Sequence, residues 1–215
     1  MTDNALKQTV TTAVIPTAGD GNPMGTASNP LRVAFTPPVI ANPAAVAGAA
    51  VTAAAETSLL PAAAVVSIPA NWWQVGRQIR ILATGLISSV ITTPGTARFK
   101  VKIGSVAVFD GLAVLLDDAA AHTNKGWILE IILTCRAIGA TANLWGAGKF
   151  TCEDIKGQAT MPVGSLTAML PWNSSPAVGS NFDSTVAGAL DLTFTQTVAT
   201  GSITLEQYSV ELVGG

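Results

Sequence analysis

The segment Trp127-Ile-Leu-Glu-Ile-Ile-Leu-Thr-Cys-Arg-Ala137 decides the fold class through its alternation. Every second residue from Trp127 to Ala137 is apolar, whereas the positions between them include a glutamate, a threonine and an arginine. Successive side chains of a strand point to opposite faces, so this period of two predicts a strand with one face in a core. Residues 97–103 alternate in the same way, with one arginine and two lysines between the apolar residues. Both segments predict antiparallel strands with one buried face.

The same pattern continues through most of the chain after residue 71. Turns are predicted at Pro94-Gly95, Asp110-Gly111 and Gly139-Ala140-Thr141, and a change of apolar phase near Glu206-Gln207 is typical of a β-bulge. Many short strands separated by turns, without a helical period, predict an all-β fold, an antiparallel β-sandwich of jelly-roll type. The further predicted strands are 64–68, 78–83, 86–92, 106–109, 112–116, 143–151, 166–170, 190–198 and 203–212.

The N-terminal part of the chain has a different composition. Residues 1–70 hold eight of the 12 prolines and are otherwise rich in alanine and threonine. Prolines at this density disfavour long helices and central strands, so we predict an extended arm over 1–70 and the sandwich over 71–215. Large apolar residues such as Phe35, Val39 and Ile40 indicate an arm that becomes ordered on a neighbouring molecule, with a disordered tail as the alternative.

The charge content limits the classes of partner. Only 11% of the 215 residues are charged, against about 25% in an ordinary soluble domain, while 49% are hydrophobic. This composition favours one component of a larger assembly. The net charge of −2 leaves no basic excess for binding phosphates, so no nucleic-acid partner is expected. The apolar stretch 44–55 is short of the about 20 residues that span a bilayer, no secretory signal precedes it, and no membrane association is expected.

The only histidine, His122, provides the one candidate for chemistry. It follows Asp117 and Asp118 and could form a small metal site or an acid–base pair with them. The alternative is a solvated connection between the strand that ends at Leu116 and the strand that begins at Trp127, and this interpretation is favoured. The sequence has neither a serine elbow nor a phosphate loop. We therefore expect no enzyme, no catalytic or metal-ligating residues and no cofactor, and leave open an ion near His122.

The two cysteines are predicted to be free thiols. If residues 139–141 form the tip of a hairpin, Cys135 lies opposite residue 144 or 145, and Cys152 lies opposite residue 127 or 128. At ~3.3 Å per residue the two cysteines are then about 25 Å apart, whereas a disulfide requires Cα atoms within about 7 Å.

Several segments resemble virion structural proteins of tailed bacteriophages over roughly residues 72–152. They are 73–85 (WQVGRQIRILATG), 93–104 (TPGTARFKVKIG), 123–127 (TNKGW) and 136–139 (RAIG). The resemblance implies a jelly-roll protein, commonly a homotrimer, that decorates or cements the capsid or forms part of a fibre. It places the protein on the capsid surface of a virion, after synthesis in the host cytoplasm, with the major capsid protein as its partner.

Two functions follow as expectations. The first is a capsid decoration or cement protein, which stabilises the capsid through trimer contacts and arm contacts. The second is a tail-fibre, receptor-binding or carbohydrate-binding jelly-roll module. Trp72 lies where the predicted arm meets the sandwich, and the isoleucines lie on faces that also carry polar residues, while Trp73 and Trp127 are expected in the core. The interface candidates are Phe35, Val39, Ile40, Trp72, Ile87, Ile91, Ile128 and Ile132.

Overall fold

The computed structural model describes residues 39–41, 47–156 and 167–214. These residues form two antiparallel sheets that pack as a β-sandwich. One short 3-10 helix, Ala62–Ala64, is the only helix among them, and no helix in these ranges could span a membrane. The strands are β1 (Val39–Ala41), β2 (Thr57–Ser58), β3 (Val66–Ile68), β4 (Gln78–Ser89), β5 (Thr96–Ile103), β6 (Val106–Leu115), β7 (His122–Ala137), β8 (Asn143–Cys152), β9 (Thr167–Leu170), β10 (Gly188–Thr195) and β11 (Ser202–Gly214).

The strand order is that of a jelly roll. The six-stranded sheet has the order β1-β11-β4-β7-β8-β9. The five-stranded sheet has the order β2-β10-β5-β6, and β3 also pairs with β10. In each sheet a C-terminal strand lies between an N-terminal strand and a middle strand, which is the double Greek key of a jelly roll. Strands β8 and β9 extend the first sheet beyond β7. The strand order of the two sheets confirms the predicted fold class, an antiparallel β-sandwich.

The core lies between the two sheets and follows the alternation in the sequence. On β5 and β7 the predicted apolar faces are buried. The Phe99 ring lies 5.7 Å from the Trp127 ring, 4.9 Å from Phe150 and 5.3 Å from Phe194, measured between centroids. These four aromatic side chains come from four strands and join the sheets at the centre of the core. Trp73 and Trp127 are 3% and 1% exposed, as predicted.

The structure places part of the predicted arm inside the sandwich. Strands β2 and β3 pair with β10, and β1 pairs with β11, so the segment before residue 70 contributes to both sheets. Just before β2, Glu56 forms ion pairs with Lys100 and Lys102 of β5. The sandwich therefore begins well before the boundary expected at residue 71. Five side chains from this segment belong to the core: Val51, Leu59, Leu60, Ala64 and Ile68.

Two pairs of predicted strands are single strands in the structure. Residues 78–83 and 86–92 were expected as separate strands, but β4 runs without a break from Gln78 to Ser89. The turn expected at Asp110-Gly111 lies within β6. Asp110 Oδ1 accepts hydrogen bonds from the Leu112 amide and from the Arg98 side chain on β5, so this aspartate stabilises an irregular strand rather than a turn. Leu112 takes the positive φ of 57° at this irregularity.

The predicted hairpin register is confirmed. Cys135 lies opposite Leu144, and Cys152 lies opposite Trp127, so the two buried cysteines are free thiols. The bulge predicted near Glu206-Gln207 is confirmed by a register shift between Leu205 and Gln207 in the pairing of β11 with β4.

We expect both thiols to be unreactive in the folded protein. Burial raises the pKa of Cys152 to about 11 and also raises that of Cys135, and the thiolate is the reactive form. With the thiol reagent DTNB at pH 8, the native protein should release almost no chromophore, and the same protein in guanidinium should release two equivalents per chain. Rapid labelling of one thiol in the native protein would contradict the buried positions of both cysteines.

Candidate functional site

The solvent-facing side of the six-stranded sheet is the candidate interaction surface, called here the outer face. The alternation that directs Trp127 and Leu129 into the core directs Ile128 and Glu130 outward. Strand pairing aligns outward residues of neighbouring strands, for example Thr84 with Ile128 and Glu130 with Lys149. The outer face is formed by Arg80, Leu82, Thr84 and Leu86 of β4, Ile128, Glu130 and Ile132 of β7, Lys149 and Thr151 of β8, Met169 of β9, and Gln207 and Glu211 of β11.

A band of alternating charges crosses the outer face. Glu211 Oε2 is 2.7 Å from Arg80 Nη2, Arg80 Nη1 is 3.8 Å from Glu130 Oε1, and Glu130 Oε2 is 3.0 Å from Lys149 Nζ. The two acidic and two basic side chains come from four adjacent strands. Because each charge has an opposite neighbour within the chain, the band is neutral as a whole. Covering it requires no counter-charge from a partner.

Apolar side chains lie on both sides of this band. Ile128 is 47% exposed, Ile132 and Leu86 are each 37% exposed, and Met169 is 67% exposed. Single exposed apolar residues are normal in proteins, but a group on one sheet face is a common feature of interaction surfaces. The outer face thus combines a neutral charge band with exposed apolar side chains.

An open groove of about 560 Å³ lies at one end of the outer face. Gly126 lines this groove, opposite Leu86 and two residues before Ile128 on β7, and a Cβ atom at Gly126 would meet nothing within 4 Å. The groove is therefore wide where the glycine lacks a side chain. Its lining comprises Thr84, Gly85, Leu86, Gly126, Trp127, Ile128, Thr151, Cys152, Glu153, Glu206 and Gln207.

Three of the predicted isoleucines are exposed and one is not. Ile128 and Ile132 lie on the outer face, and Ile91, 45% exposed, lies in the turn after β4. Ile87 is 2% exposed and belongs to the core, so the expectation that it forms an interface is wrong. The reason is the continuity of β4, which places Ile87 in phase with the buried Ile79 and Ile81.

The remaining interface candidates belong to the N-terminal segment or its junction with the sandwich. Val39 and Ile40 lie in β1 at the edge of the six-stranded sheet, whereas Phe35 lies outside the described residues. Trp72 is partly buried: its ring lies 4.9 Å from that of Trp73, and the Arg77 guanidinium lies 4.5 Å from its centroid. Trp72 therefore packs against its own chain.

A second group of polar side chains lies at one end of the sandwich. His122 Nε2 is 3.0 Å from Asp117 Oδ2 and 3.9 Å from Asp154 Oδ1. Ser89 Oγ donates a hydrogen bond to Asp154 Oδ1 at 2.8 Å, and the Ala119 amide donates to Asp117 Oδ1. The Asp117 and Asp154 side chains are 4% and 0% exposed. The prediction of a solvated connection around His122 is therefore wrong at Asp117.

The two carboxyls of this cluster differ in electrostatics. Burial by itself raises the pKa of Asp117, but hydrogen bonds from His122 and the Ala119 amide outweigh it, and the pKa lies below its usual value. For Asp154 burial dominates over the hydrogen bond from Ser89, and the pKa lies above its usual value. Asp117 is the better ionised of the two.

Sequence reasoning found Asp117 and His122 but missed Asp154 and Ser89. A signal for Asp154 was present, because the hairpin register that pairs Cys152 with Trp127 also brings the end of β8 near the start of β7. Ser89 pairs with His122 across β4 and β7, and that pairing depends on β4 being one strand. In the described ranges, no three His, Cys, Asp or Glu side chains are arranged to hold a metal ion.

Comparison with known proteins gave no match, either to a protein-family model, to a curated protein or to a solved structure. The outer face and the His122 cluster are therefore interpreted from their own geometry and chemistry.

Proposed function

We propose that this chain is a capsid decoration or cement protein of a tailed bacteriophage, which acts as a homotrimer on the capsid surface and contacts the major capsid protein. The observation that carries the proposal is the outer face, where Leu86, Ile128, Ile132 and Met169 are exposed beside a neutral charge band. A jelly-roll domain whose outer face is partly apolar and carries no unpaired charge band is suited to bind copies of itself or a capsid shell. The resemblance of residues 72–152 to phage virion proteins supports the same assignment.

The physical basis of the proposal is repeated burial of modest surfaces. Apolar surface contributes about 25 cal/mol per Å² when it is removed from water. The charged side chains of the outer face keep their intrachain partners when covered, which limits the cost of removing them from water. In a shell, many weak contacts act together and each bound copy is held at several points. The segment before β1, which lies outside the described residues and was expected to be an arm, is proposed to supply the contact with neighbouring coat subunits.

The groove favours a second function, a tail-fibre, receptor-binding or carbohydrate-binding module. It places polar groups of Thr84, Thr151 and Gln207 beside the apolar Ile128. A concave site that mixes apolar and polar groups is the usual form of a ligand site. In this alternative the groove binds a ligand on the host surface rather than a neighbouring chain.

The number of copies in the virion separates the two functions. Quantitative mass spectrometry of purified particles should give hundreds of copies for a cement protein, and cryo-EM should then place trimers over the capsid lattice. A few dozen copies located at the tail would favour the fibre module. Absence of the chain from virus particles would refute both the cement role and the tail-fibre role.

Self-association through the outer face is testable in solution. We expect light scattering coupled to gel filtration to give a trimer for the natural chain, and a monomer for Ile128→Asp and Ile132→Asp. Burying one isoleucine contributes about 1.5–3 kcal/mol, so each variant should weaken association at least tenfold. Ile138→Asp is the matched control, because Ile138 is 52% exposed beside the hairpin tip, outside the outer face. A stable monomer of the natural chain at micromolar concentration would contradict trimerisation.

A further inference from the structure

Two exposed charges, Glu206 and Arg136, lie toward opposite ends of the six-stranded sheet. Within the described part of the chain, neither of them forms an ion pair. Glu206 lines the groove, and the residue after it is aligned through β4 with Ile128 of β7. At ~3.3 Å per residue, Arg136 lies about 26 Å further along β7 than Ile128. The two side chains are therefore too far apart to pair within one copy.

Both charges occupy irregular positions of their strands. Glu206 is the extra residue at the bulge where β11 pairs with β4, and Arg136 is the extra residue at the register shift where β7 pairs with β8. A bulge changes the direction of a side chain relative to the regular pleat, and bulges are common next to functional sites. The sheet thus presents each of these charges at a local irregularity.

The surroundings of Arg136 extend the outer face toward the hairpin tip. Trp145 of β8 is in phase with the outward Lys149, and the Arg136 guanidinium lies 5.8 Å from the centroid of the Trp145 ring. Val178 pairs with Trp145 across an isolated bridge and is 51% exposed. This end of the face therefore presents a cation beside apolar side chains.

The groove at the other end is complementary to this group. Its second carboxylate, Glu153, pairs with Lys125 at 2.9 Å, which leaves Glu206 as the carboxylate available to a partner. Leu86 and Ile128 supply apolar surface beside Glu206. A concave site with one free carboxylate and apolar walls suits an arginine, whose charged head needs an acceptor and whose stem packs on apolar groups.

We infer that the groove of one copy binds Arg136 and Trp145 of the next copy, with Glu206 as the ion-pair partner of Arg136. A closed trimer requires two unlike patches on each copy, because two identical patches that meet produce a twofold dimer. The groove and the Arg136 end provide such a pair of patches. This contact rests on the homotrimer of the proposed function and specifies which surfaces meet in it.

Charge reversal tests the contact. Arg136→Glu and Glu206→Arg each bring like charges together, so each should weaken trimer formation about tenfold or more, as measured by light scattering. Arg136→Glu combined with Glu206→Arg restores opposite charges and should recover the trimer. Arg136→Glu combined with Asp118→Arg is the matched control. It has the same net charge, but Asp118 lies outside the groove lining, so this variant should stay dissociated.

A cross-link provides a second, direct measurement. Arg136→Lys keeps the positive charge and introduces a primary amine. A water-soluble carbodiimide should then join this amine to the Glu206 carboxyl of another copy through an amide bond, while the carbodiimide takes up the water and becomes a urea. Mass spectrometry of peptides from the cross-linked dimers and trimers identifies the two joined positions.

The possible results separate this contact from the proposed function. If the natural chain is a trimer that neither reversal weakens, the contact is wrong and the proposed function stands, with the groove left open to a ligand as in the fibre alternative. A folded double variant that does not recover the trimer, or Arg136→Lys trimers without the cross-link, would also overturn the contact. A monomeric natural chain would refute the trimer of the proposed function itself.

Discussion

Deletion of residues 1–70 should abolish folding, whereas deletion of residues 1–36 should leave the sandwich intact. The longer deletion removes β1, β2 and β3, and thus exposes the β11 edge of one sheet and the β10 edge of the other. It also removes five core side chains, and loss of each large one costs about 2–5 kcal/mol. For the four large side chains the loss is about 8–20 kcal/mol, comparable to the whole stability of about 5–15 kcal/mol of an ordinary domain, and the lost strand pairing adds to it.

Two measurements distinguish the deletion variants. The variant that lacks residues 1–36 should melt cooperatively and keep a near-ultraviolet circular dichroism signal from its packed tryptophans. The variant that lacks residues 1–70 should be insoluble or lack that signal. If the chain from residue 71 folded as a cooperative unit by itself, the domain boundary expected from proline density would be right, and the pairing of β2 and β3 with β10 would be dispensable.

Gly85→Ala should be the most damaging single-atom change in the six-stranded sheet. Gly85 lies on β4 in phase with the buried side chains, opposite Leu205 where β11 begins its bulge. A Cβ atom at this position would lie 1.9 Å from the carbonyl oxygen of Thr204 and 2.9 Å from the Trp127 ring. Backbone must move to admit it, so we expect a loss of about 3 kcal/mol or more in the free energy of unfolding.

The control for this substitution is Gly126→Ala on the adjacent strand. Gly126 pairs with Leu86, and a Cβ atom there would meet nothing within 4 Å. We expect its free energy of unfolding to stay within about 0.5 kcal/mol of the natural value, or to rise slightly because alanine restricts the unfolded chain. Urea denaturation of both variants measures the difference. Equal stabilities would show that β11 can shift away from β4 at low cost.

The sequence predicted the elements whose alternation is long and uninterrupted. Strands β5 and β7 and the β7–β8 hairpin have enough consecutive alternating residues to define both face and register. The jelly-roll class followed from the number of such strands. The alternation was specific enough to predict two distant free thiols from the sequence alone, because one hairpin tip determines every pair along both strands.

The elements that were missed are those whose pairing partners are distant in sequence. Strand β2 has two residues, too few to show a period, and it is defined by its pairing with β10. Strand β3 lies within the predicted strand 64–68, but its pairing with β10, and hence its place in the sandwich, was missed. Gly85 adds no apolar side chain to the alternation of β4, and two strands were therefore predicted where the structure has one. For the same reason Ile87 was predicted on an exposed face, although it lies on the buried face. The His122 cluster combines residues from four strand ends, and local patterns do not bring Ser89 and Asp154 together.

The position of the last two strands has a consequence for biosynthesis. β11 lies between β1 and β4, and β10 lies between β2 and β5, so β1, β2 and β3 have no sheet partners until β10 and β11 have been synthesised. Hairpins such as β7–β8 can form on the ribosome, but closure of the sandwich must wait for the C-terminal part of the chain to emerge. During that interval the apolar N-terminal segment stays accessible to chaperones and to other nascent copies. Emergence of β10 and β11 from the ribosome, rather than collapse of an early domain, therefore sets the moment at which the sandwich can close.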